Sequence, residues 1–469
     1  MTKIPRQAKH DERPGTLRRY KPYSAYKDSG VEWLGEIPVG WEVERLRFLI
    51  ESNPVPSEVR ALPGDTEVSF VPMEAVGEHG GLSLEITKHL AQVKAGYTYF
   101  RDGDIVIAKI TPCFENAKGA LAAGLTNGIA FGTTELHVLR TTERTDRRFI
   151  FYVTLSDSFR RLGEADMYGA GGQKRVSESF VRNFSPALPS LPEQRSIAAF
   201  LDRETARIDA LAVKKERLIE LLREQRTALI TRAVTKSLDP TVPMKDSGVE
   251  WMGDIPAHWR IKRLKHLALR PESGIQMGPF GSMLKDLVTS STGYKLYGQE
   301  NTISGDFGGG SRWLSQQQYR DLGEYRLQHG DIVLTRKGSL GNARMIPRDA
   351  EPGVIDSDTI RVRVDHDAVD GRFLVLLLHE ARYVSEQIGS VRRGAVLGGL
   401  NTATIANLLI ALPPIEEQHR LMDGLRIRTV RLDILVAKVR DAIDRLMELR
   451  TALISGAVTG KIDVREEIA

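Results

Sequence analysis

The stretch Lys27-Asp28-Ser29-Gly30-Val31-Glu32-Trp33-Leu34-Gly35-Glu36-Ile37-Pro38 returns 218 residues later as Lys245-Asp246-Ser247-Gly248-Val249-Glu250-Trp251-Met252-Gly253-Asp254-Ile255-Pro256. A second anchor, Leu188-Pro189-Ser190-Leu191-Pro192-Glu193-Gln194, recurs 224 residues on as Leu412-Pro413-Pro414-Ile415-Glu416-Glu417-Gln418. Arg226-Thr227-Ala228-Leu229-Ile230 and Arg450-Thr451-Ala452-Leu453-Ile454 keep the 224 offset, so nothing is inserted after the second anchor. Self-similarity over so long a period means one module built twice. Between the anchors the copies share little beyond Gly103-Asp104-Ile105-Val106 and Gly330-Asp331-Ile332-Val333. A common shell therefore encloses two differing interiors.

Those interiors read as α+β. Val68–Val71, Asp104–Ala108 and Glu135–Leu139 are short β-rich runs bounded by Gly, Pro and Asn, answered in the second copy by Asp331–Leu334 and Thr359–Val364. Short helices over Phe149–Arg161 and Phe373–Ser385 are expected to pack on this sheet. After each Leu-Pro anchor the pattern changes. Steps of four and three pass through Ile197, Leu201, Glu204, Ile208, Leu211, Lys215, Leu218, Leu222, Gln225 and Leu229. The second copy repeats this seam from Leu421 through Leu425, Leu432, Val439 and Leu446 to Leu453. Neither run contains proline, and each predicts a helix of about 40 residues, about 60 Å long. A stripe so narrow on so long a helix is most simply covered by the other helix; the alternative lays each helix on its own globular unit.

With 469 residues the chain holds enough for several cores, and the repeat makes two large units the better count. Cys113 is the single cysteine, which removes a disulfide framework and any cysteine-based zinc site and is compatible with a reducing cytoplasm. No stretch approaches the roughly 18 apolar residues of a membrane span, and residues 1–26 lack a signal core, so a cytoplasmic protein free of the membrane is expected. A net charge of +5 favours nucleic acid only mildly.

Catalytic patterns are missing. No lysine has Asp or Glu two places before it, so half of a common metal-dependent nuclease motif is absent. There is no G-x-x-x-x-G-K-[ST] loop for ATP, and the only Pro-Pro, Pro413-Pro414, lacks the flanks of an amino-group methyltransferase motif. The histidines form no H-E-x-x-H or H-x-H pair, and the run from Gly305 to Gly310 reads as a surface loop. Neither a metal site nor a catalytic role is expected. Trp33, Trp41, Trp251 and Trp259 belong to the shared shell and should pin it together.

Base-reading candidates belong in the differing interiors, where cationic and amide side chains can match base edges. In the first copy these are Lys109, Thr111, Tyr168, Gln173, Lys174 and Arg175, the last four beside the turn Gly169-Ala170-Gly171-Gly172. In the second they are Gln276, Lys285, Gln299, Asn301, Arg336, Lys337, Arg392 and Arg393. Each is also suited to a phosphate contact or a solvated surface.

The opening segment at 27–38, Ile275-Gln276-Met277-Gly278-Pro279-Phe280-Gly281-Ser282, the Leu412–Gln418 anchor and the closing Thr451–Asp463 stretch together resemble the DNA-specificity subunits of type I restriction-modification systems. The first copy has Ser190 where the second has Pro414, and no clear counterpart of the Gly-Pro-Phe-Gly-Ser run. The resemblance implies two α/β target-recognition domains separated by two long helices that form an antiparallel coiled coil, with a pseudo-twofold internal repeat. It divides the chain into a basic N-terminal arm (1–26), a first recognition domain (27–192), a central helix (193–238), a second recognition domain (239–414), and a distal helix with its tail (415–469). Each domain would read one half of a bipartite, asymmetric site in double-stranded DNA. The helices would set the spacer and dock two modification (methyltransferase) subunits, and restriction (translocase/nuclease) subunits would join them. On that reading this chain has no cofactor; S-adenosylmethionine, ATP and Mg belong to the partners. Unlike readers on a pseudo-twofold frame suit a nonpalindromic site. A coiled-coil protein-interaction scaffold without specific DNA binding is the rival expectation, and a self-contained DNA enzyme is disfavoured by the missing motifs.

Overall fold

The computed structural model describes residues 20–169, 172–269, 274–280, 283–284, 293–337, 342–393 and 400–468. Two compact units emerge: one combines residues up to Glu216 with Arg440–Ala469, the other is Arg217–Val439. Each unit thus takes part of each long helix.

In the first unit two four-stranded sheets carry the interior. One is ordered Thr87–His89, Glu67–Val71, Ile129–Gly132, Thr98–Arg101, with Glu67–Val71 and Ile129–Gly132 parallel. The other is ordered Ile50–Ser52, Leu136–Thr141, Ile105–Ala108, Gly119–Leu121 and is antiparallel throughout. Successive strand side chains face opposite ways, and both faces of Ile105–Ala108 are covered. Ile105 and Ile107 join the core that contains Phe149, Phe159 and the long helices, while Val106 and Ala108 join Phe100 and Val138. The second unit has a four-stranded and a three-stranded sheet instead, and repeats the alternation: Ile332 and Leu334 face one core, Val333 another. Its four-stranded sheet runs Ile275–Met277, Thr359–Val362, Ile332–Thr335, Ala343–Met345.

The shared Gly-Asp-Ile-Val has a structural reason. Gly103 and Gly330 sit at φ +92° and +88°, where a side chain would be strained. The aspartate that follows each is enclosed and takes a bidentate arginine from the neighbouring strand. Arg140 Nε and Nη2 donate to Asp104 Oδ1 and Oδ2, each at 2.8 Å, and Arg363 donates likewise to Asp331, each at 2.7 Å.

The expected short helices are each two. Arg147–Leu155 ends at Ser156, whose extended backbone (ψ 147°) and hydroxyl, accepting from Phe159 N, start Asp157–Asp166. In the second unit Ala381 separates Gly371–Glu380 from Arg382–Arg393.

The long helices span Leu191–Lys236 and Ile415–Val458. In the first unit Ile197, Leu201 and Ile208 share a core with Leu453, Ile454 and Ala457; in the second Ile230, Ala233 and Val234 share one with Leu421, Met422 and Leu425. The start of one helix therefore meets the end of the other in both units, so the pair is antiparallel. The buried stripe departs from the expected seam after Ile208. Leu211 and Leu218 are 43% and 42% exposed, while Ala212 and Ile219 are 6% and 8% exposed. One extra residue has entered the four-three stepping, because an α-helix of 3.6 residues per turn drifts from a 3.5 repeat unless it supercoils.

Tyr20 and Tyr23, in the segment expected to be a free basic arm, are buried in the first core. Tyr23 Oη donates to Glu193 at 2.9 Å, and Asp463 N donates to Lys21 O at 2.8 Å. Residues 1–19 lie outside the described part. Trp41 and Trp259 are enclosed, and Trp33 stacks on Phe184 at 4.9 Å, in keeping with a shell role for these three; Trp251, expected to join them, is 37% exposed. Among the described residues no helix is long and apolar enough to cross a membrane.

Candidate nucleic-acid interface

Beyond its last residue the Ile105–Ala108 strand of the first unit continues as Lys109 to Thr111 and is met by Tyr168 and by Gln173 to Val176. Val176 N donates to Lys109 O at 2.8 Å and Thr111 N to Lys174 O at 3.0 Å, while Tyr168 and Arg175 exchange backbone bonds at 3.1 and 2.9 Å. All six first-copy candidates are thereby brought together. They are not equivalent. Tyr168 is 63% exposed, and Gln173 and Lys174 are exposed. Arg175 is committed: Nε and Nη2 donate to Glu135 Oε2 and Oε1 at 2.9 and 2.8 Å. The pair lowers the pKa of the Glu135 carboxyl and raises that of the Arg175 guanidinium. Thr111 Oγ1 donates to Glu115 Oε1 at 2.9 Å, which ties it inward.

Below this segment lies a cleft of about 470 Å³, lined by Lys109, Tyr168 and Arg175 and by residues the sequence did not single out, among them Asn53, Lys94, Tyr97 and His137. Tyr97 is 40% exposed and meets Phe70 edge-on at 5.0 Å. Lys88 Nζ stands 3.6 Å from the Phe70 ring centre, a cation–π contact at the edge of the same surface. His137 is buried, and desolvation pushes its pKa down, with the Val176 carbonyl opposing. Its Nε2 lies 3.0 Å from Val176 O, and since a carbonyl only accepts, Nε2 carries the proton of a neutral ring. Asn53, in the left-handed region at φ 48°, accepts Val138 N through Oδ1 at 3.0 Å.

The second unit disperses its candidates. Gln276 is half-buried in the Ile275–Met277 strand, and Gln299 begins the Gln299–Ser304 helix. Asn301 turns inward, contrary to expectation. It is 3% exposed, its Oδ1 accepts Gly298 N at 3.1 Å, and its Nδ2 donates to Asp306 O and Gly309 O at 2.9 and 3.2 Å. With both ends of the amide used, it secures the Gly305–Gly310 loop, helped by the buried Lys295, which donates to Gly308 O. Arg336 is likewise held, donating to Leu400 O at 3.1 Å and Ser357 O at 3.4 Å. Lys337 remains 54% exposed in its pair with Asp358. Lys285 lies outside the described residues. Arg392 and Arg393 end the Arg382–Arg393 helix, with side chains outside the description.

Against known proteins, residues 282–435 match the family described as Type I restriction modification DNA specificity domain. The EcoAI and EcoEI type I specificity subunits of Escherichia coli are 40% and 38% identical over 186 residues. Across 92% of this chain and 96% of the relative, the putative MjaX specificity subunit of Methanocaldococcus jannaschii is 20% identical. Over the matched stretches the chain is similar to type I specificity subunits. The stretch matched in the EcoAI and EcoEI subunits spans only 31% and 30% of their length. Solved structures agree on the fold. A chain from a study of complex assembly and conformational transition of the type I R-M system superposes with a TM-score of 0.69 at 18% identity, covering 90% of this chain and 98% of its own. The HsdS subunit from Thermoanaerobacter tengcongensis superposes at 0.54 and 20% identity, covering 91% and 98%.

The family match over residues 282–435 does not reach Asn53, Lys94, Tyr97 or His137. Their only signal in the sequence was local, a lysine or a ring close to a β-rich run, shared with many surface residues.

Proposed function

We propose that this chain is the non-catalytic, sequence-reading subunit of a type I restriction-modification complex, each unit reading one half of an interrupted, asymmetric site in double-stranded DNA. The observation that carries the proposal is the gathering of Lys109, Tyr168, Gln173, Lys174 and Arg175 on the part of the first unit that differs most between the copies, above a shell that both copies keep. Phosphate contacts position a reader and base contacts specify its sequence, and this surface offers both kinds of side chain.

Modification subunits are the proposed occupants of the long helices, with restriction subunits joining the assembly. In support, Ile427, Val430 and Ile434, spaced along one face of the second long helix, are 67%, 49% and 51% exposed. S-adenosylmethionine, ATP and Mg chemistry belongs, on this proposal, to those partners, and the complex works in the cytoplasm.

The purified chain, offered a random duplex library, is expected to enrich one interrupted nonpalindromic sequence, with affinity falling as salt rises. Enrichment of none overturns the proposal in favour of a protein-interaction scaffold. Inserting residues into 205–225 is expected to change the spacer and leave both half-sites; a changed half-site with an unchanged gap would refute the helices' part.

A further inference from the structure

Surfaces that read stacked bases are convex: the major groove, about 12 Å wide, admits a helix or a two-stranded ribbon. The paired strands at Tyr168 and Arg175 can serve that way, but the cleft beneath them cannot, because side chains that line a concavity do not reach edges inside an intact stack. We propose that the cleft receives one base turned out of the duplex, an adenine or a cytosine, held between Tyr97 and Tyr168 and recognised through its amino group. This rests on the reading of the chain as a DNA-specificity subunit and adds a site to it.

The chemistry of the lining selects that occupant. Tyr97 and Tyr168 are 40% and 63% exposed, with Phe70 edge-on to Tyr97 and Lys88 Nζ 5.8 Å from its ring centre, and bases stack on such rings irrespective of sequence. His137 donates through Nε2 to Val176, so its Nδ1 is an acceptor, and no described residue engages it. Glu178, also in the lining, is a second acceptor. An exocyclic amine supplies the two N–H groups that such a pair wants; thymine has no amine and offers the single N3–H. Among the described residues Asn53 Nδ2 meets only Ser52 Oγ, at 3.5 Å, which leaves a donor for the ring nitrogen beside that amine. Lys94 and Lys109 bring positive charge to the same cleft, suited to the phosphates flanking an extruded nucleotide. Enzymes that act on bases hold flipped ones by this combination of aromatic faces and edge hydrogen bonds; here the occupant is read and left unchanged.

The test uses the full chain on its selected duplex, with 2-aminopurine placed in turn beside each position of the half-site that Lys109→Ala perturbs, where it reports whether the base at that position leaves the stack while that base keeps its own amino group. One position is expected to brighten severalfold on binding, and a mismatch opposite that position alone should tighten binding, since the unpairing cost is already met. Tyr168→Ala should remove the brightening and weaken binding by about tenfold, while Tyr168→Phe keeps both. His137→Phe should erase the preference for an amino-bearing base at that position. Specific binding with no brightened position, and with every mismatch weakening the complex, overturns the extruded base and leaves the specificity-subunit reading intact. Absence of any sequence-specific binding overturns that reading itself.

Discussion

The side-chain carbonyl of Gln194 accepts the backbone N–H of Asp146 at 2.9 Å. Its Nε2 donates to Pro189 O, also at 2.9 Å, and the residue is 1% exposed. In the second unit Gln418 repeats the set, with Asp370 N at 2.8 Å and Pro413 O at 2.9 Å. Asp146 and Asp370 cap the Arg147–Leu155 and Gly371–Glu380 helices. The glutamine that closes each proline anchor therefore latches the start of a long helix to the capping residue of a short one, which is why it survives in both copies.

Gln194→Ala and Gln418→Ala each leave a buried N–H and carbonyl without partners. Each is expected to lower the stability of its own unit by about 1–3 kcal/mol. Denaturant unfolding followed separately for the two units checks this. A loss shared equally by both units from one substitution would contradict the latch being local.

Removing Asp331 strands Arg363 in a site where the aspartate side chain is only 2% exposed. Asp331→Ala is expected to cost about 3–5 kcal/mol, and the double change Asp331→Leu with Arg363→Met much less, because an apolar pair carries no desolvation penalty. Asp104 and Arg140 should behave alike in the first unit. Calorimetric melting of the single and double variants decides it.

His137 sets a pH dependence. Burial first, then neighbouring Lys109, hold its folded pKa below 6.5, while the Val176 carbonyl, Glu178 and Glu135 pull the other way. As pH falls below about 6.5 the unfolded chain takes up the proton first, so this contribution is full above that pH and declines as pH drops toward the lowered folded value. His137→Gln should flatten the stability profile of the first unit in this window. An unchanged profile would mean that the imidazole is not held neutral.

Lys94, which lines the cleft, is expected to act through phosphate. Lys94→Ala should weaken binding about equally for all duplexes and reduce the slope of log affinity against log salt by about 0.9, the effect of one lost counterion-releasing contact. Binding titrations at several salt concentrations measure both; a change confined to one base position would make Lys94 a base reader instead.

The repeat, the two long helices and the strands at Glu67–Val71, Ile105–Ala108 and Ile332–Thr335 were legible from the residues, since each is a periodicity carried by neighbours in the chain. The clustering of Lys109 with Gln173, Lys174 and Arg175 was legible only as a choice of residue types; it took a β-bridge between Ile110 and Arg175 to make it a place. Asn301 misled for the opposite reason. An amide near a glycine-rich loop looks available, and only the fold shows that both its ends are consumed by the Gly298, Asp306 and Gly309 backbones.

By itself the sequence determined that a shell is built twice, that each copy ends in a long amphipathic helix, and that the interiors differ, because helix period and internal identity are local properties of the chain. Tertiary structure alone decided which face of each helix is buried past Ile208, where 3.6 residues per turn overrode the simpler seam. It also decided that Asn53, Lys94, Tyr97, His137 and Tyr168 line one cleft. These residues come from segments far apart in sequence, and their meeting depends on strand pairing and register, which only the folded sheets set.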